Sequence, residues 1–161
     1  MLTHPDFPLL AYDPQTGDFF WLVDRPGVQA GAVAGSRKPD GYSWRITYAH
    51  RTMVAHHLAW LFAHGEMPPE GMVVDHKDLN PFNNRIDNLR LATAQQNSAN
   101  RRPRRDGLKG VARLRSGRYQ AQIKVNGKSL YLGSFPTEEE AHCAYMAAAK
   151  DHFGVFARGT A

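Results

Sequence analysis

The chain has 161 residues, 42% of them hydrophobic, with three Trp, six Tyr and eight Phe. That is enough apolar and aromatic material for one globular domain or two small ones, and it excludes a disordered chain. The single cysteine, Cys143, excludes an internal disulfide and a Cys-rich zinc site, and the net charge of +5 points to an anionic partner.

In chain order, the turn Asp13-Pro14-Gln15-Thr16-Gly17 precedes an aromatic strand candidate, Phe19-Phe20-Trp21-Leu22-Val23. Pro39-Asp40-Gly41 precedes a second, Trp44 to Tyr48. Val54, Leu58, Leu61 and Phe62 fall at helical spacing, so an amphipathic helix is predicted over Met53 to Ala63, ending before Gly65. Val73-Val74 then opens a strand that ends in Asp75-His76. An asparagine-rich stretch containing Asn80, Asn83, Asn84 and Asn88 follows, Leu89-Arg90-Leu91 returns, and Thr93 caps a short helix carrying Asn97.

The charge is unevenly spread. Residues 1–100 hold 8 Lys/Arg and 10 Asp/Glu, a net of −2, while residues 101–161 hold 12 and 5, a net of +7. Arg101-Arg102-Pro103-Arg104-Arg105 marks the change. It reads as a solvated linker, or as an arm along a phosphate backbone where each contact releases a counterion. Ten Lys/Arg against the single acid Asp106 between Arg101 and Lys128 favour the arm. Beyond it, Tyr119, Ala121, Ile123 and Val125 alternate with Gln120, Gln122 and Lys124, and Asn126-Gly127 is a two-residue hairpin signal. The return strand alternates Leu130 and Leu132 against Ser129 and Tyr131. Thr137 and Glu140 form a capping box for a helix with Ala141, Ala144, Tyr145, Ala148 and His152 on its packing face.

Asp75-His76 carries the chemistry. A neutral imidazole, with an ordinary pKa of about 6.5, can take a proton from water at neutral pH. A hard divalent ion such as Mg²⁺ prefers oxygen and keeps several waters, so one carboxylate, one amide oxygen and a phosphate suffice to hold it. The bland alternative is a loop whose Asp and Asn side chains merely cap backbone groups, and that remains the better reading of Asn83 and Asn84. His4, His50, His64, His142 and His152 read as surface or core histidines, whereas His56 can stand close to the site.

The ordered set Asp75-His76, Asn88 and Asn97 resembles the HNH endonuclease family in its phage and mobile-intron branch. Ala55-His56-His57-Leu58-Ala59-Trp60 extends the likeness upstream, with His57 where the family usually has arginine. The resemblance implies a two-stranded hairpin packed on a helix around one divalent metal, Mg²⁺ first and Mn²⁺ second. It implies His76 as the general base, Asn88 as the residue that orients the base loop, and Asp75 and Asn97 as metal ligands.

Lys109-Gly110-Val111, Gly117-Arg118-Tyr119, Ala121-Gln122-Ile123, Tyr131-Leu132-Gly133-Ser134-Phe135 and Ala144-Tyr145 resemble the AP2/ERF DNA-binding domain. There a three-stranded sheet enters the major groove and one helix supports it from behind. The likeness implies DNA-facing positions at Lys109, Arg118, Gln122, Lys124, Ser129 and Tyr131, with Arg113 and Arg115 supplying charge. Ala112, Ser116 and Ser129 stand where that family often has Arg or Trp, implying a different base preference.

The resulting expectation is an α+β protein with three parts. These are a ββα-metal nuclease domain at 1–100, a basic linker at 101–107, and a three-stranded antiparallel sheet on one helix at 108–161. The expected function is metal-dependent, site-specific cleavage of double-stranded DNA of the homing type. Residues Arg101, Arg102, Arg104 and Arg105 and the C-terminal sheet would provide affinity. The alternative is a non-cleaving DNA-binding regulator that retains the nuclease fold. A monomer is expected, without a small-molecule substrate or membrane association. No signal-peptide pattern and no apolar run near the ~18 residues of a membrane span is present, so the expected location is cytoplasmic, the host cytoplasm for a phage protein.

Overall fold

The computed structural model of the chain describes residues 1–38, 43–100 and 107–157. The expected turn at Pro39-Asp40-Gly41 and the arginines Arg101, Arg102, Arg104 and Arg105 lie outside the described residues. The protein is α+β, built from small antiparallel sheets and few helices, and it divides into two compact units, Met1–Ala92 and Thr93–Ala161. No helix among the described residues is long and apolar enough to cross a membrane.

In the first unit, β1 (Leu2–Thr3), β2 (Leu10–Tyr12) and β3 (Phe19–Trp21) form one sheet. The aromatic strand stops at Trp21, short of Val23. The loop between β2 and β3 closes by an Asp13 side chain that accepts from Gln15 N–H at 2.9 Å, with Gly17 at φ +83°. A second sheet comprises β4 (Ser36–Arg37), β5 (Trp44–Tyr48) and β6 (Arg51–Val54). Met53 pairs with Ile46 and Val54 with Arg45, so these two residues belong to β6. The helix α1 therefore spans Ala55–His64, two residues later than its apolar spacing suggests. Strand pairing overrides periodicity there. Gly65, left-handed at φ 77°, ends the helix by donating its N–H to the Leu61 carbonyl.

Leu58, Leu61 and Phe62 of α1 meet Leu10, Tyr12, Phe19 and Ile46 in one core. Phe19 packs against Tyr12 at 4.8 Å and edge-on to Phe62 at 5.3 Å between ring centroids. Two further strands, β7 (Met72–His76) and β8 (Leu89–Thr93), pair with each other. Val74 and Leu89 put them into the same core. The residues after Val74 thus emerge at the edge of a packed interior.

The second unit, from Thr93 onward, contains α2 (Ala94–Asn100). The Thr93 hydroxyl accepts from Gln96 N–H at 3.2 Å and the Gln96 amide oxygen accepts from Thr93 N–H at 2.9 Å, a reciprocal cap. Within this unit the Lys109 ammonium donates to the carbonyls of Ser98 and Ala99 near the C-terminal end of α2. The strands β9 (Val111–Arg113), β10 (Tyr119–Val125) and β11 (Lys128–Phe135) form an antiparallel sheet in the order β11-β10-β9, and α3 (Glu138–Phe153) lies against it. Asn126 and Gly127 turn the hairpin at φ 50° and 79°, as a two-residue loop requires.

Two sequence expectations change here. Gln122 faces Tyr131 but Ala121 faces Gly133, so Leu132 is a bulged residue that interrupts the expected alternation. The buried stripe of α3 is Ala141, Tyr145, Ala149 and Phe153, strictly four apart, whereas His152 is exposed. Phe153, not His152, completes that face because the four-residue step from Ala149 lands on it. Cys143 is exposed on the same helix.

Gly110, at φ +78°, lies directly under the Tyr145 ring, and a Cβ there would enter the ring. Gly117 has a similar φ of +84° with nothing within 4 Å of a built Cβ. Gly117→Ala should therefore cost only the left-handed backbone strain, about 1 kcal/mol. Gly110→Ala should cost about 3 kcal/mol, because overpacking adds to strain. Urea unfolding of both variants measures the difference, and equal losses would mean that contact with Tyr145 is not the constraint.

Candidate active site

Asp75 and His76 occupy the last two positions of β7, at 6% and 8% exposure. Burial of such groups is costly unless each is partnered, and each is. Asp75 Oδ2 accepts from Arg90 Nε at 2.9 Å across to β8. His76 Nε2 lies 3.2 Å from Asn84 Oδ1. The Asn84 amide nitrogen points to the Phe82 carbonyl, 3.4 Å away, so its oxygen faces the imidazole. An amide oxygen can only accept, so this contact suits an imidazole that donates through Nε2.

Asn84 is only 3% exposed and is fixed from the core side. The Tyr12 hydroxyl donates to its carbonyl at 2.7 Å. Burial, then the charges of Asp13 and Asp87, raise the Tyr12 pKa and keep this donor protonated. Gly17 lies so close that a Cβ would stand 2.6 Å from Arg85 N and 2.7 Å from the Asn84 carbonyl carbon. The hairpin between β2 and β3 is thus the seat on which Asn84 rests.

Asn88 ties down the loop that follows His76. Its amide nitrogen donates to Asp78 Oδ1 at 2.9 Å and to the Asn83 carbonyl at 2.8 Å, and its oxygen accepts from Asp78 N–H at 3.2 Å. Asp78 also accepts from Asn80 N–H at 2.8 Å and from the Asn83 amide at 2.7 Å. Partial burial would raise the Asp78 pKa, but the Asn80, Asn83 and Asn88 hydrogen bonds outweigh it and hold the carboxyl below its ordinary value.

His56, at the start of α1, packs its ring edge-on against His76 at 4.9 Å and against His57 at 4.6 Å. Its Nδ1 is enclosed and meets no hydrogen-bond partner among the described residues. Burial first, then His57 and His76, push its pKa down to about 3, so it is neutral at pH 7.

Asp75, His76 and Asn88 therefore converge on the β7–β8 end of the first unit. Asn97 stands on α2, half-buried, in the second. Among the described residues no group of three or more His, Cys, Asp and Glu gathers as a metal cage. A carboxylate such as that of Asp75 is an oxygen donor of the kind that hard divalent cations take. In the second unit Gln122, Lys124, Ser129 and Tyr131 share one exposed sheet face, with Gln122 opposite Tyr131 and Lys124 opposite Ser129. Arg113 and Arg115 are exposed, while Arg118 donates to the Ser134 carbonyl at 2.7 Å and to its hydroxyl at 3.1 Å.

Asn84, Arg90 and Asp78 carry no role at the site on sequence alone, whereas His56 is legible there only as a neighbour, which it is, against the His76 ring. Asn84 was hidden among asparagines suited to turns. Arg90 could have been found by asking what neutralises a carboxylate at the end of an apolar strand.

Residues 53–99, from β6 to α2 and including Asp75, His76, Asn84, Asn88 and Arg90, match the family described as HNH endonuclease. Over 113 residues, 70% of the chain, it is 37% identical to an uncharacterised HNH endonuclease of Acanthamoeba polyphaga mimivirus. Over 60 residues, 35% of the chain, it is 42% identical to protein 3.8 of Escherichia phage T7. The aligned stretches span 59% and 49% of the length of these relatives.

The depressed pKa of His56 makes stability depend on pH. Its folded value of about 3 lies below the unfolded value of about 6.5. The unfolded chain then binds the extra proton, so this contribution is complete above pH 6.5 and is lost as pH falls toward 3. His56→Leu should flatten the fall in urea midpoint between pH 6.5 and 4. An unaltered slope would assign the effect to another group.

Proposed function

We propose that the protein is a metal-dependent DNA endonuclease of a phage or mobile element, of the site-specific homing type. The observation that carries this reading is the ordered constellation at the end of β7, inside the family-matching segment. There His76 is braced through Nε2 by Asn84, and its loop is braced by Asn88. The likeness to viral proteins supports the phage setting.

His76 takes the proton from the attacking water, and Asn84 Oδ1, 3.2 Å from Nε2, stabilises the imidazolium that results. Asn88 keeps the loop after His76 in place, so that the imidazole meets the water at one angle. Asp75 and Asn97 are the residues that would hold the divalent ion. When bound, that ion supplies Lewis acidity to the phosphoryl oxygen and the leaving alkoxide. Affinity for double-stranded DNA resides in the basic C-terminal part, where residues 101–161 carry +7 against −2 for residues 1–100. Arg101, Arg102, Arg104, Arg105, Lys109, Arg113, Arg115 and Arg118 neutralise phosphates there. Gln122, Lys124, Ser129 and Tyr131 offer hydrogen-bonding groups to base edges in an AP2-like manner.

His76→Ala should lower the rate of Mg²⁺-dependent cleavage of duplex DNA by at least about 10², with DNA binding little changed. Cleavage at the wild-type rate would remove His76 from the role of base, and binding without any cleavage by wild type would make the protein a regulator. Raising Mg²⁺ or Mn²⁺ should partly rescue Asn97→Ala and leave Asn88→Ala impaired, and the reverse pattern would exchange their roles.

Base reading is tested separately by binding to a preferred and a scrambled duplex across a salt series. Arg104→Ala should weaken both alike and reduce the slope of log K against log salt by about 1. Gln122→Ala should cost roughly 1–3 kcal/mol on the preferred duplex only, and equal losses on the two would exclude base contact by that face.

A further inference from the structure

Asp75 answers to two cations. One is already in place: Arg90 Nε lies 2.9 Å from Asp75 Oδ2, with side-chain exposures of 16% and 6%. Val74 precedes Asp75 on β7 and Leu89 precedes Arg90 on β8, and both are anchored in the core at 5% and 4% exposure. The pair is therefore held by two packed strands and cannot drift apart as a surface pair does. The guanidinium of an arginine is, in general, a permanent charge. A divalent ion arriving at the same carboxylate meets a positive charge that is fixed in position and sign.

We propose that Arg90 is the built-in counter-ion of Asp75. It keeps the carboxylate aimed before any metal arrives, and it weakens metal binding by competing for the same oxygens. This inference rests on the reading of Asp75 as the metal-bearing carboxylate. Arg90 is thus a positioning residue whose removal has two opposite effects. The metal-free fold loses a partner for a buried charge, while the affinity of Asp75 for a divalent ion rises. A purely structural arginine would give the first effect without the second.

The test uses the full chain and Mn²⁺, with the free ion followed by electron paramagnetic resonance and stability by thermal melting in chelator and in Mn²⁺. Arg90→Gln keeps an N–H donor and removes the charge. It should melt below wild type in chelator, regain part of the loss in Mn²⁺, and bind Mn²⁺ at least about ten-fold tighter, as the removal of a charge repulsion within a few ångströms requires even with water's screening. Arg90→Lys should bind Mn²⁺ close to wild type. Adding Asp75→Asn to Arg90→Gln should abolish Mn²⁺ binding and relieve the loss in chelator.

Unchanged or weaker Mn²⁺ binding by Arg90→Gln overturns the proposal. Should that variant not fold, wild type itself decides. Its Arg90 Nε–H resonance should shift on Mg²⁺ titration and stay fixed in Asp75→Asn, and a resonance indifferent to Mg²⁺ in wild type overturns the proposal equally. Cleavage of duplex DNA by wild type is scored separately. Cleavage with these results negative removes only the role of Arg90, whereas no Mn²⁺ binding and no cleavage removes the nuclease reading as well.

Discussion

The site depends on one buried hydrogen bond, from the Tyr12 hydroxyl to the carbonyl of Asn84. Tyr12 is completely buried, and its ring is part of the aromatic core with Phe19 and Phe62. Its hydroxyl has to find an acceptor at that depth, because an unsatisfied buried donor costs about 1–3 kcal/mol. The acceptor it finds is the residue whose side chain holds His76. The same bond satisfies the core and sets the height of the base loop. Around it, every polar group at the end of β7 described above except His56 Nδ1 is matched: Asp75 by Arg90, His76 by Asn84, Asn88 by Asp78 and the Asn83 backbone. Such a network is stable only when nearly complete, since a half-satisfied one is worse than an apolar interior.

The second unit is organised on different physics. Its helix packs through alanines, Tyr145 and Phe153, and its sheet leaves one face to solvent, carrying Gln122, Lys124, Ser129 and Tyr131. Tyr131 is 65% exposed, far more than a large ring gains by standing in water. The bulge at Leu132 sits next to it and re-aims the strand at that point, as bulges do near binding surfaces. The first unit is thus closed around its polar groups, and the second holds its polar groups out.

Much of this was legible in the sequence, where local chemistry had one solution. Asn126-Gly127 could form only a tight hairpin, and Thr137 with Glu140 only a helix start, with the Thr137 hydroxyl accepting from Glu140 N–H at 3.2 Å. The strand that ends at Asp75-His76 was readable because the apolar pair Val73-Val74 runs there into two polar residues. What escaped were choices made by tertiary contact. The start of α1 moved because Met53 and Val54 pair with β5. The packing face of α3 ended on Phe153 because neighbouring residues on a helix trade places with small rotations. Asn84 escaped because a turn-forming and a side-chain-bracing asparagine look alike in one dimension, and their difference lies with a tyrosine 72 positions earlier.

The family-matching stretch, residues 53–99, is not a portable cassette. The surface against which Asn84 is pressed comes from Tyr12 and from Gly17, whose hydrogen in place of a side chain leaves just enough room for the Asn84–Arg85 backbone. A graft of residues 53–99 onto a foreign scaffold would carry the reactive groups and leave behind the floor beneath them. Variation in the hairpin between β2 and β3 would then be inherited together with variation at Asn84, although no reacting group lies in that hairpin.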